Sequence, residues 1–119
     1  MLQAFIAHNW TTGGKEWEQR DGQSLEIQVP AGGVAYAPGL CVSFQNGPLG
    51  RDAERKEANG CFVETVIAVA RQRLEFYQAS RFRCPENQVA IDHLNIALGA
   101  LESRTAGREQ RGVEGTHRV

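Results

Sequence analysis

The sequence predicts an α+β protein in which a small N-terminal antiparallel β-sheet is followed by a long antiparallel two-helix hairpin. Two observations carry this reading. Short alternating runs separated by Gly- and Pro-rich turns occupy residues 1–49, whereas apolar residues recur at helical spacing from residue 63 onward. Between them lies a charged stretch, so the chain divides into a β-rich part (1–49), a connecting loop (50–60) and a helical hairpin with a C-terminal tail (61–119), together one compact domain.

The strands are expected at Leu2–His8, Ser24–Val29 (S-L-E-I-Q-V) and Leu40–Gln45 (L-C-V-S-F-Q). Thr11–Lys15 (TTGGK), Arg20–Gln23 (RDGQ) and Pro30–Gly39 (PAGGVAYAPG) read as the connecting loops, because Gly tolerates φ > 0 and Pro fixes φ. After Asn46-Gly47-Pro48, one helical face appears at Val63, Val66, Ile67, Ala70, Leu74 and Tyr77. A second row on this helix, Phe62, Val69 and Phe76, is seven apart, and one partner helix cannot cover both. Either the sheet or another subunit is expected there. The second helix opens with Pro85 and Glu86 in its first turn and continues as an a/d seam, Ile91, Leu94, Leu98 and Leu101. The short connection Ser80–Cys84 makes the pair antiparallel.

Composition excludes several classes. A 119-residue chain buries only about two-thirds of its unfolded surface when alone. No apolar run approaches the roughly 20 residues that span a membrane, and the N-terminus MLQAFIAHNW lacks the features of a secretory signal, so a soluble, cytosolic protein is expected. Cys41, Cys61 and Cys84 are odd in number and far apart, which suits buried thiols better than a disulfide framework. With 13 basic and 14 acidic residues the net charge is −1, which makes duplex nucleic acid a poor partner.

Catalytic signals are weak. Gly13-Gly14-Lys15 lacks the rest of a phosphate loop and is followed by Glu16. His8, His93, His117 and the cysteines show no metal-ligand spacing, so no metal or cofactor is expected. Glu54, Glu57 and Glu64 are scattered, and no Ser, Cys or Thr sits in a nucleophile elbow. The informative feature is a ridge of Arg104, Arg108 and Arg111 at i, i+4 and i+7. Its ordinary reading is a solvated face that complements the helix dipole. Arginine also grips phosphate oxygens with a planar fork, and Phe76, Tyr77 and Phe82 near the bend offer faces for a base, although aromatics at helical spacing more often belong to a core.

The stretch Arg83–His117, with R-C-P-E-N, the I-x-x-L seam, R-T-x-x-R and G-V-E-G-T-H, resembles the hairpin domain shared by phage anti-Thoeris and anti-CBASS sponge proteins. Upstream, Ser43–Pro48 (S-F-Q-N-G-P) is similar to the end of the β-domain in the anti-Thoeris branch. The resemblance implies binding, without cleavage, of cyclic ADP-ribose isomers made by a TIR-domain defence enzyme in the host cytoplasm. Some members also hold cyclic di- or trinucleotides in separate pockets. It implies ligand contacts from Asn87, Arg104 and Arg108, an aromatic near the bend at Tyr77 with Phe82 competing, and a loop arginine at Arg51 or Arg55. Gly115 and Thr116 belong to a tail, Gly112–His117, that folds over the ligand or else frays. Pro85 departs from the charged residue common in relatives, and the Gly50–Gly60 segment is longer and more charged.

Asn87 and Arg104 are separated by 17 residues, or roughly 25 Å of helix. One small nucleotide cannot reach both within one chain, so a shared ligand requires a two-fold pairing of antiparallel helices. Relatives form dimers and hexamers, so a homodimer or homohexamer is expected. The alternatives are an enzyme that degrades such signals and a structural oligomeric adaptor.

Overall fold

A computed structural model of the chain describes residues 1–116, with the side chains of 13–20 and 25–28 excepted. It has an N-terminal three-stranded antiparallel sheet followed by two helices, an α+β arrangement. Two units are formed, one by residues 1–61 with Gly115 and Thr116, the other by residues 62–114.

The sheet order is β1-β2-β3, with β1 at Ile6–Arg20, β2 at Gln23–Ala37 and β3 at Leu40–Phe44. Asp21 and Gly22 close β1 onto β2 with φ of 50° and 76°, the two positive dihedrals of a type I′ hairpin turn. Pro38 and Gly39, the latter at φ 80°, close β2 onto β3.

The strands are longer than the turn-forming residues suggest. Pro30–Ala37 is strand rather than loop, because Gly32 and Gly33 at φ 152° and 140° let β2 continue through a backbone path closed to other residues. Thr11–Lys15 also lies within β1: Thr11 pairs with Pro30 and Lys15 with Gln28, so residues 12–14 bulge. Pro30, which has no N–H for the ladder, stands at this irregularity. At the N-terminal end, strand pairing begins at Ile6 rather than Leu2.

β3 is extended by a segment from far along the chain. Cys61 bridges Phe44 in parallel, its N–H bonding the Ser43 carbonyl at 2.7 Å, while the Gln45 N–H bonds the Cys61 carbonyl at 3.0 Å. The Asn59 amide then acts as a strand residue would: Oδ1 accepts the Asn46 N–H at 2.8 Å and Nδ2 donates to the Asn46 carbonyl at 2.9 Å. The thiols differ from expectation, since Cys41 is exposed and Cys61 and Cys84 are half-buried. Cys41 falls on the outward set of the period-2 alternation in β3.

In the second unit, α1 spans Val63–Gln78 and α2 spans Pro85–Gln110. Pro85 occupies the first turn of α2, where its missing N–H costs nothing. The inward stripe of α2 runs Asn87, Ile91, Leu94, Leu98, Leu101, Thr105 and Arg108, steps of four and three in alternation. Across the hairpin, Arg71 Nη1 donates to Asn95 Oδ1 at 3.0 Å. Opposite these stripes, Phe62, Val69 and Phe76 on α1 are 37%, 64% and 56% exposed, and Val89 and Ile96 on α2 are 55% and 68% exposed. Among the described residues no helix is long and apolar enough to cross a membrane.

Candidate functional site

The bend of the hairpin is built by side chains. Ser80 Oγ donates to the Tyr77 carbonyl at 2.6 Å and accepts the Phe82 N–H at 3.1 Å, while Gln78 Oε1 accepts the Cys84 N–H at 2.9 Å. Asn87 is half-buried one turn into α2, and its Nδ2 reaches the Phe82 carbonyl at 3.4 Å. This amide therefore supports the bend, whatever else it contacts.

The two aromatic candidates differ in exposure. Tyr77 is half-buried, with the Arg73 guanidinium 4.9 Å from its ring centroid and Arg73 Nε donating to its hydroxyl at 3.2 Å. The same guanidinium lies 5.0 Å from the Phe76 ring. Phe82 is 62% exposed, with the Arg81 guanidinium 4.9 Å from its centroid. Arginine and aromatic faces thus alternate around the bend, a combination that suits a base attached to phosphate. Arg73 and Arg81 were not singled out by periodicity; their i, i+3, i+4 and i, i+1 placement beside aromatics is the signal that finds them.

At the opposite end of α2, Arg104 is exposed and its side chain has no hydrogen bond or ion pair among the described residues. Arg108, one turn on, is half-buried, and its Nη2 donates to the Val113 carbonyl at 3.1 Å. Arg111 is the C-cap, its N–H bonding the Gly107 carbonyl. The tail is folded as far as it is described. Gly112 takes φ 72°, Val113 is buried and Thr116 is half-buried, while residues 117–119, including His117, lie outside the described residues.

Arg51 and Arg55 belong to the other unit, where the Leu49 carbonyl accepts the Lys56 N–H at 2.7 Å and closes a loop. Arg51 is half-buried at the N-cap of a short 3₁₀ turn. Arg55 is exposed, and its Nη1 donates to the Gly50 carbonyl at 3.3 Å. The Gly50 N–H in turn bonds the Gly115 carbonyl at 2.7 Å. A Cβ on Gly115, which takes φ 75°, would collide with the Gly50 carbonyl oxygen, so only glycine fits there. Arg51, Arg55, Gly115 and Thr116 therefore share one unit, while Tyr77, Phe82, Asn87, Arg104 and Arg108 share the other. Asn87 and Arg104 stand near opposite ends of a single unbroken helix.

Residues 41–106 match the family described as Acb2/Tad1, hairpin domain. The matched stretch runs from β3 through most of α2, and so contains Arg51, Tyr77, Phe82, Asn87 and Arg104 but not Arg108, Gly115 or Thr116. A protein of Bacillus phage SBSphiJ7 named Thoeris anti-defense 1 is 45% identical over 100 residues, which cover 82% of this chain and 64% of that protein. The chain thus spans just under two-thirds of that relative's length.

Proposed function

The chain belongs to the Acb2/Tad1 hairpin-domain family, and from that premise we propose that it is a phage anti-defence protein acting in the host cytoplasm against Thoeris signalling. In this reading it sequesters cyclic ADP-ribose-type signals, and cyclic di- or trinucleotides in separate pockets, without cleaving them. The observation that carries the reading is the pair of arginines on the last turns of α2, Arg104 exposed and Arg108 set at the inward stripe. Two guanidiniums four residues apart on one helix project to the same side and suit a pyrophosphate. Arg104 and Arg108 neutralise the phosphates, Tyr77 or Phe82 stacks on the adenine, and Asn87 bonds a ribose or base edge.

Because α2 is continuous from Pro85 to Gln110, Asn87 and Arg104 are held roughly 25 Å apart. A ligand that uses both is therefore shared between subunits of a homodimer or homohexamer. The outward rows Phe62/Val69/Phe76 and Val89/Ile96 support self-association, since exposed apolar patches rimmed by polar residues commonly mark interfaces.

The test is to expose the purified protein to lysate from cells expressing a TIR-domain defence enzyme, then release what is bound by heat and identify it by mass spectrometry. An intact cyclic nucleotide is the expected result. Cleaved products indicate a degrading enzyme instead, and an empty protein indicates a structural adaptor.

A further inference from the structure

We propose that Val113 is a positioning residue that holds Arg108 in place before any ligand arrives; this rests on the reading above, in which Arg108 is a phosphate contact. The helix end supplies the argument. Gly112, at φ 72°, follows the C-cap Arg111, the Gly112 N–H bonds the Glu109 carbonyl at 3.0 Å, and the Val113 N–H bonds the Arg108 carbonyl at 3.0 Å. These are the two hydrogen bonds of a Schellman motif, in which the residue after the glycine packs against the residue whose carbonyl it bonds. Here that residue is Arg108, whose aliphatic stem is the apolar partner such a motif requires.

Val113 is 8% exposed, as the apolar position of such a motif requires. Its carbonyl also accepts a hydrogen bond from Arg108 Nη2 at 3.1 Å. Arg108 is thus linked to one buried residue twice, through its own carbonyl and through its guanidinium. Arg104, four residues earlier, is exposed and lacks such a link among the described residues. A long arginine side chain that is already ordered loses less rotamer freedom on binding, which raises affinity without adding a contact. The two arginines therefore divide the work, Arg108 as a preset anchor and Arg104 as an adaptable partner.

In the intact protein, the Arg108 Nε–H order parameter, measured by ¹⁵N relaxation, falls in Val113→Ala and in Gly112→Ala and is retained in Val113→Ile. With cyclic ADP-ribose as the titrated probe, Val113→Ala keeps the carbonyl but loosens the helix end that carries it, and weakens binding about tenfold, the scale of ordering one long side chain on binding. The same substitution adds nothing in an Arg108→Ala background. Circular dichroism establishes that each variant keeps its helices. Should Val113→Ala leave the Arg108 order parameter unchanged, or weaken binding equally whether or not Arg108 is present, the positioning role is overturned. If Arg108 loosens as expected but Arg108→Ala binds the probe like wild type, the assignment of Arg108 to the ligand fails instead, and with it the functional half of the proposal.

Discussion

Arg104 and Arg108 lie on the same side of α2 and differ in what surrounds them. The Arg104 side chain is exposed and makes no hydrogen bond or ion pair among the described residues, so removing it should not alter folding. Arg104→Ala is expected to weaken nucleotide binding by about 2 kcal/mol, the usual scale for a charge-assisted hydrogen bond, with an unchanged thermal midpoint. Calorimetry showing wild-type affinity removes Arg104 from the site. At the bend an arginine lies over each ring, Arg73 over Tyr77 and Arg81 over Phe82, but Tyr77 is half-buried and Phe82 largely exposed. Comparing Tyr77→Leu with Phe82→Leu by the same titration tells which ring receives the base: the stacking ring loses about 1–3 kcal/mol and the other stays near wild type.

At the scale of elements, two glycines carry attachments that periodicity does not display. Gly60 lies against β3, where a Cβ would meet the Phe44 carbonyl carbon and oxygen and the Gln45 nitrogen at 2.6–2.7 Å. Gly60→Ala therefore has to displace backbone rather than a flexible side chain, and should peel the 59–61 segment from the sheet edge. A loss of about 1–3 kcal/mol is expected by denaturant titration, with faster amide exchange at Cys61 and Asn46, whose N–H groups bond across that edge. Wild-type exchange at both positions would contradict the close approach. Gly112→Ala strains a φ of 72°, and about 1 kcal/mol of stability should be lost, with fraying confined to the end of α2.

At the scale of the whole molecule, much of the apolar surface of the hairpin helices faces outward. Full burial of a Val, Ile or Phe side chain stabilises by roughly 1.5–3 kcal/mol, and Val69, Phe76, Val89 and Ile96 remain more than half exposed in one chain. Association through these rows is the expected outcome. Light scattering at micromolar concentration should therefore give at least a dimer, and Val69→Glu with Ile96→Glu should dissociate it. If ligand pockets are shared, Asn87→Ala and Arg104→Ala should complement each other. In a two-fold heterodimer of the two variants, one pocket collects both defects and the other collects none. Titration of separately tagged heterodimers should then find one tight site per two chains, and finding no tight site would refute the shared pocket.

Sequence alone determined the order of sheet and hairpin, the Asp21-Gly22 turn and the Ile91–Leu101 seam, because each is written in residues at most four apart. Turn type follows from φ preferences, and a helical face follows from a 3.6-residue repeat. What tertiary structure decided depends on partners distant in the chain. Glycine- and proline-rich stretches read as loops, yet a neighbouring strand supplies the ladder that carries β2 through Pro30–Ala37. Asn59 reads as a loop residue until it lies beside Asn46, 13 positions away. Val113 reads as part of a tail that either folds over a ligand or frays, but folding buries it at the end of α2 and joins it to Arg108. Local pattern fixes which conformations a segment prefers; long-range packing chooses among those that remain, because only there do backbone groups and apolar surface find their partners.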